Sequence, residues 1–130
     1  MITSLINIYS GPYSSMRYPT CGDWYVDEDG RLCIQVVDAT NDDYNFLLII
    51  HELVESYLCL RRGISQEVVD DFDFSCPKDV EPGDHPDAPY KREHCFATGI
   101  ERLLAAELGV DWTAYEHTLD TLVVDETPNH

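Results

Sequence analysis

Basic residues are scarce in this chain of 130 residues, in which eight lysines and arginines stand against 25 aspartates and glutamates. The formal net charge is therefore -17. Because proteins bind nucleic acid largely through basic side chains that contact phosphates, we expect no direct nucleic-acid binding. Such acidity favours a soluble protein, a cation-binding protein, or a protein that imitates nucleic acid toward a basic partner.

Paired cysteines are also missing from the sequence. The five cysteines are odd in number and widely spaced, and no CxxC pair occurs among them. This pattern predicts neither a disulfide framework nor a cysteine-rich zinc site. Reduced thiols are typical of a cytoplasmic protein, and we therefore expect a cytoplasmic location.

Long apolar runs and a basic leader are lacking as well. The N-terminal segment MITSLINIYSG has no basic region, and its apolar run is too short for a signal peptide. The longest apolar run, Phe46 to Ile50, ends at His51 and is far shorter than a membrane span. The length predicts one domain, residues 1–130, with a frayed polar tail over residues 125–130.

Three strand-like segments occupy the N-terminal third of the sequence. Ser4 to Ser10 is rich in β-branched and aromatic residues. Asp23 to Val26 and Arg31 to Val37 flank the acidic turn Asp27 to Gly30, and an Asp-Gly turn between two such runs indicates a hairpin. These signals predict a small antiparallel sheet.

Helical signals dominate the rest of the chain. The strongest helix is predicted near residues 41–62, where capping side chains precede an apolar segment that ends at Gly63. Further helices are predicted near 65–71, 91–108 and 112–123, and a proline-rich loop is predicted over 73–88. The expected fold class is α+β, with the antiparallel sheet packed on three to four helices.

The predicted helix at 41–62 carries polar side chains within a largely apolar register. His51 and Glu55 stand four residues apart, so a ring nitrogen and a carboxylate oxygen can reach one metal ion. Glu52 points beside that ion, where a general base for a metal-bound water would stand. The alternative is an amphipathic helix whose polar side faces water.

A zinc site needs at least a third protein ligand. His94 is the best candidate, because it lies on the predicted helix 91–108. Glu101 follows His94 by seven residues and shares its helix face, so it is an alternate ligand. His85, in the acidic loop, and Glu93 are the other alternates.

The segment HELVE, residues 51–55, resembles a variant of the zincin metallopeptidase motif HExxH, in which Glu55 replaces the second histidine. The resemblance covers five residues closely. It implies that His51 is the first zinc ligand, that Glu52 is the general base, and that His94 or Glu101 completes the set. The order of strand, motif helix and later helix also resembles a minimal zincin core.

This resemblance implies a zinc-dependent hydrolase that acts on a peptide or small-molecule substrate. Two histidines with a carboxylate suit Zn²⁺, and they equally suit Fe²⁺ or Mn²⁺. The chain as a whole resembles small uncharacterised proteins of bacteriophages and their hosts, which would place it in the host cytoplasm.

Three alternatives remain open from the sequence. Glu52-x-x-Glu55 followed by Glu67-x-x-Asp70 resembles the carboxylate pattern of all-α nucleotide pyrophosphohydrolases, which hold Mg²⁺. The scattered acidic clusters also suit a non-enzymatic protein that binds or decoys a basic protein partner. A metal site with no position left for water would be structural, in an interaction module.

Overall fold

A computed structural model of the chain describes residues 6–77 and 80–125 and confirms the α+β class. The three strands are β1 (Ile6–Gly11), β2 (Gly22–Val26) and β3 (Leu32–Val37), in the spatial order β1-β3-β2. β2 and β3 form the predicted antiparallel hairpin, but β1 pairs in parallel with the other edge of β3. The sheet is therefore mixed and not wholly antiparallel.

The parallel pairing of β1 follows from where the chain crosses the sheet. Gly11 pairs with Val37 and Gly22 pairs with Val36, so β1 ends and β2 begins at the same end of β3. Strands joined at one end of a sheet run in opposite directions. Since β3 is antiparallel to β2, it runs parallel to β1.

Four helices follow the sheet: α1 (Asp42–Arg61), α2 (Gln66–Ser75), α3 (Lys91–Leu108) and α4 (Trp112–Asp125). α2 extends beyond the predicted residue 71 and places Asp73 on a helix, whereas a loop was expected there. In the described part of the remaining loop, Pro82–Asp84 form a short 3₁₀ turn. Of the predicted tail, Asp125 ends α4, and residues 126–130 lie outside the described part of the chain.

The helix boundaries follow the local capping signals. The Asn41 side chain accepts a hydrogen bond from the Tyr44 amide at the start of α1, and the Ser65 side chain does the same for Val68 in α2. Gly109 ends α3 with a left-handed backbone, at φ 72°. Within the described ranges, none of the helices is long and apolar enough to cross a membrane.

The core lies between one face of the sheet and the helices. Leu32, Ile34 and Val36 alternate along the central strand and therefore share the face that packs with Trp24 and Leu47. α1 contacts both β2 and β3, and it packs along α3. This arrangement places α1 at the centre of the molecule.

The orientation of α1 differs from that of an ordinary amphipathic helix. Its polar side chains His51, Glu52 and Glu55 are only 5–8% exposed, whereas Phe46 and Tyr57 are 45% and 44% exposed. Buried polar groups are more informative than exposed apolar ones, because burial costs free energy unless the groups find partners. The polar side of α1 therefore faces inward, and the alternative of a polar side facing water is wrong.

The Arg17 side chain joins β2 to α2 through two ion pairs. Arg17 Nε donates to Asp23 Oδ2 at 2.7 Å, and Arg17 Nη2 donates to Asp70 Oδ1 at 3.0 Å. Asp23 is only 4% exposed, and burial raises the pKa of its carboxyl although the contact with Arg17 lowers it. Arg17 thus compensates a carboxylate that the fold removes from water.

We expect Arg17→Met to lower the free energy of unfolding by about 3 kcal/mol, because it leaves the buried Asp23 carboxylate without its partner. Arg31→Met is the matched control, since the Arg31–Asp29 pair is exposed at 44% and 70% and contributes less than about 1 kcal/mol. Urea unfolding of the two variants measures both values. Equal losses would contradict this role of Arg17.

Candidate metal centre

Three side-chain atoms of α1 and α3 meet at one point between the helices. His51 Nε2 lies 3.0 Å from Glu55 Oε2, His94 Nδ1 lies 2.9 Å from the same oxygen, and the two ring nitrogens are 3.2 Å apart. Within residues 6–77 and 80–125, these three residues form the one group whose ligand atoms are close enough to hold a metal ion together. The predicted ligands His51, Glu55 and His94 are therefore neighbours in space.

The size of this triangle suits a small divalent cation. Metal–ligand bonds of roughly 2.0–2.1 Å place neighbouring ligand atoms about 3.3 Å apart in a tetrahedral site and about 3.0 Å apart in an octahedral one. The observed edges of 2.9, 3.0 and 3.2 Å are close to the octahedral distance and slightly below the tetrahedral one. A cation bonded to all three atoms requires only small side-chain movements.

The outer nitrogen of each histidine faces another carboxylate. His51 Nδ1 lies 2.7 Å from Glu101 Oε1, and Tyr115 Oη donates to the other oxygen of Glu101 at 2.6 Å. His94 Nε2 lies 3.2 Å from Asp84 Oδ1. Carboxylates that hold the outer N–H of a metal-binding histidine are a recurrent feature of metal sites.

These outer contacts bear on the tautomers of the two rings. When the inner nitrogens bind a cation, the protons of the neutral rings lie on His51 Nδ1 and His94 Nε2, where Glu101 and Asp84 can accept them. In neutral rings, the inner nitrogens then present lone pairs toward the third carboxylate, Glu55. Such convergence of lone pairs is repulsive without a cation at its centre.

Protonation of the inner nitrogens is the other way to relieve that repulsion. Burial alone lowers the pKa of His51, but its hydrogen bonds with Glu101 and Glu55 outweigh burial and raise this pKa well above the ordinary value. The pKa of His94 is raised in the same way, mainly by Glu55. Protons and a metal ion would therefore compete for the same two nitrogens.

The Glu55 carboxylate is fixed by a fourth group. Trp24 Nε1, on β2, donates to Glu55 Oε1 at 3.3 Å, which leaves Oε2 for the two histidines. Burial raises the pKa of Glu55, but the hydrogen bonds from both rings outweigh it and lower the pKa below its usual range. Glu55 is therefore the ionised member of the triangle.

Glu52 lies beside the triangle and outside it. Its Oε2 is 3.9 Å from His51 Nε2, and its side chain is packed against Gly22 at the start of β2. Across the part of the chain that the structure describes, the Glu52 carboxyl makes no hydrogen bond. Burial, followed by the charge of Glu55, raises its pKa well above the ordinary value. Glu52 is thus a desolvated carboxyl next to the proposed ion position.

Gly83 closes the site over His94. A Cβ on Gly83 would lie 2.3, 2.4 and 2.6 Å from Nδ1, Cγ and Cε1 of the His94 ring. Similar distances to three ring atoms place that point over the face of the ring and not along the lone pair. The 3₁₀ turn Pro82–Asp84 therefore covers the imidazole and also supplies the Asp84 carboxylate.

The alternate ligands lie elsewhere or have other roles. Glu101 is a partner of the outer nitrogen of His51 and is not part of the triangle. His85 Nδ1 accepts from the Asp87 amide, and its ring packs on Phe72. Glu93 pairs with Arg62 at 2.7 Å.

The carboxylate pattern of the nucleotide pyrophosphohydrolases is not assembled in the structure. Asp70 is paired with Arg17, and Glu67 is exposed on α2. Neither belongs to the group around Glu55. The four carboxylates of that pattern therefore do not converge on one ion.

Four residues of the site carry no recognisable signal in the sequence. Trp24 and Tyr115 are buried aromatic residues whose polar atoms bond to Glu55 and Glu101, and nothing in their spacing distinguishes them from other core residues. Asp84 and Gly83 lie in the proline-rich loop. The sequence feature that indicated these two residues is the length of the loop, since long loops in small domains are often functional.

Comparison with protein-family models, with curated proteins and with solved structures finds no match for this chain. The chemistry of the site therefore rests on the geometry of its own residues.

We expect Gly83→Ala to lower the free energy of unfolding by about 1–3 kcal/mol, because the new methyl group displaces the His94 ring. Gly99→Ala is the matched control on α3: its Cβ meets nothing within 4 Å, and alanine stabilises a helix by about 0.5–1 kcal/mol relative to glycine. Thermal and urea unfolding measure both changes. A neutral Gly83→Ala would contradict the close packing of Gly83 on the ring.

Proposed function

We propose that this protein is a metal-dependent hydrolase in which His51, Glu55 and His94 hold the ion and Glu52 transfers a proton. The observation that carries the proposal is the convergence of Nε2, Oε2 and Nδ1 from residues up to 43 positions apart. The substrate class is a peptide or a small molecule.

The ligand set favours Zn²⁺, with Mn²⁺ and Fe²⁺ as alternatives. Two imidazole nitrogens and one carboxylate oxygen are a common set for zinc and for iron, whereas Mg²⁺ prefers oxygen ligands alone. Among the described residues, the group offers three protein ligands, and a structural zinc site normally has four. This count supports a catalytic site over a structural one.

Each residue of the site has a distinct part in the proposed chemistry. A bound divalent ion would polarise the substrate and lower the pKa of water. Glu52 Oε2 would accept the proton from water and later return it to the leaving group. Glu101 and Asp84 would hold the rings of His51 and His94 in the tautomer that presents a lone pair to the ion.

We expect purified wild-type protein to contain about one metal ion per chain. The variants His51→Ala and His94→Ala should lose the ion, since each substitution removes one of the three ligands. His117→Ala is the control, because His117 is exposed on α4. Metal analysis by mass spectrometry after dialysis against zinc measures the content. Equal, sub-stoichiometric metal in all four proteins would contradict the site.

We expect Glu52→Gln to retain the metal and to lower the rate of hydrolysis by two to four orders of magnitude, as loss of a general base does. Labelled casein and p-nitrophenyl acetate are suitable probes of peptidase and esterase activity. Glu67→Gln, an exposed carboxylate on α2, is the control for the charge change. Loss of metal in Glu52→Gln would instead make Glu52 a ligand.

A further inference from the structure

A cavity lies between the C-terminal part of α2 and the segments that contain Tyr18 and Pro82. It has a volume of about 170 Å³, and its walls include Tyr18, Pro19, Asp73, Phe74, Pro77 and Pro82. Sites for drug-sized ligands measure roughly 300–1,000 Å³, and a cavity of about 150 Å³ holds one benzene molecule. This cavity therefore suits one side chain or a small molecule of similar size.

The polar group of the cavity is the carboxylate of Asp73. Asp73 is 8% exposed, and its two oxygens accept hydrogen bonds from the hydroxyls of Tyr18, at 2.8 Å, and Tyr90. These two donors fix the carboxylate in one orientation. Burial raises the pKa of Asp73 to about 7, so a cation in the cavity would stabilise the ionised form of this side chain.

The walls of the cavity are aromatic and apolar. The rings of Tyr18 and Phe74 meet edge to face with their centroids 5.1 Å apart, and Phe74 is 55% exposed. Aromatic rings attract cations that approach within about 6 Å of the ring face. An alkyl chain fits the apolar wall, and a terminal positive charge fits Asp73.

Among the described residues, the charges near the cavity disfavour an anionic ligand. Glu55 and Glu81 both raise the pKa of Asp73 through their negative charges. Arg17 contacts the Phe74 ring at 5.9 Å, but its guanidinium group is held by two carboxylates and adds no net positive charge. The local field therefore has the sign that attracts cations.

We propose that this cavity binds an aliphatic ammonium group, the terminal group of a lysine side chain or of a small alkyl amine. As a substrate pocket it rests on the proposed hydrolase function, because two neighbouring residues connect the cavity to the His94 ring. Pro82 lines the cavity, and the next residue, Gly83, lies on the His94 ring. Tyr90 bonds to Asp73, and its ring centroid is 6.4 Å from that of His94.

The test compares charged and neutral ligands with the same four-carbon chain. We expect Nα-acetyl-lysine methylamide and n-butylammonium to bind in the millimolar range and to shift the NMR signals of Tyr18 and Phe74. The norleucine analogue, which lacks the ammonium group, should bind at least about tenfold more weakly. Equal affinities for butylammonium and the lysine derivative would identify a small amine as the ligand. A higher affinity for the lysine derivative would identify a lysine side chain of a peptide as the ligand.

Variants of two acids on α2 locate the interaction. Asp73→Asn should weaken binding of the lysine derivative at least about tenfold, and Asp71→Asn, the same charge change at an exposed position, should leave it unchanged. Equal binding of the norleucine analogue by wild-type protein would overturn the proposal even if Asp73→Asn fails to fold. Unchanged binding by a folded Asp73→Asn protein would overturn it as well.

The same titration with His51→Ala separates this proposal from that of the hydrolase. Asp73 makes no contact with the proposed metal ligands among its described hydrogen bonds, so ammonium binding should persist in a variant that has lost the metal. Loss of ammonium binding in a folded His51→Ala protein would show that the ammonium group depends on the His51–Glu55 cluster, and would overturn the role of Asp73.

Discussion

The shared carboxylate of Glu55 is the interaction on which the packing of α1 against α3 depends. One oxygen contacts imidazoles from both helices, and the other accepts from Trp24 on the sheet. A buried carboxylate without such partners costs several kcal/mol, so the three elements that contact it have little freedom to move apart. The same contacts that define the candidate metal centre therefore also fix the relative positions of two helices and the sheet.

Local signals explain why so much of the secondary structure was predictable. The Asp27 to Gly30 turn, the capping side chains before α1 and the glycine after it, Gly63, each act within a few residues, and each appears in the structure as expected. The strand order is not a local property. It depends on how the segment between β1 and β2 crosses the sheet, and no residue pattern in that segment encodes the parallel pairing of β1.

The residues of the candidate site also fall into two groups, those that local sequence signals predict and those that depend on the tertiary fold. His51 and Glu55 were predictable because one helical turn places them together. His94 was predictable as a histidine on a later helix, and the packing of α3 along α1 brings it to the other two. Glu101 was predictable as a neighbour on the face of His94, but its contact with the outer nitrogen of His51 was not. Asp84 could not be predicted, since it reaches His94 from a loop whose path the proline-rich sequence does not specify.

The balance of charge in the buried group links these observations. Three carboxyl groups of the site, those of Glu52, Glu55 and Glu101, are at most 8% exposed. If all three were ionised and both histidines were neutral, the buried site would carry a formal charge of -3. Burial of that charge is prohibitive. Protonation of Glu52, whose pKa is raised, offsets one negative charge. Either two further protons or one divalent cation must offset the other two. Two protons on the imidazole rings, or one divalent ion between the rings, supply the same positive charge to the same two nitrogens. Metal binding at this site would therefore exchange with protonation of His51 and His94, and acid would favour the metal-free protein.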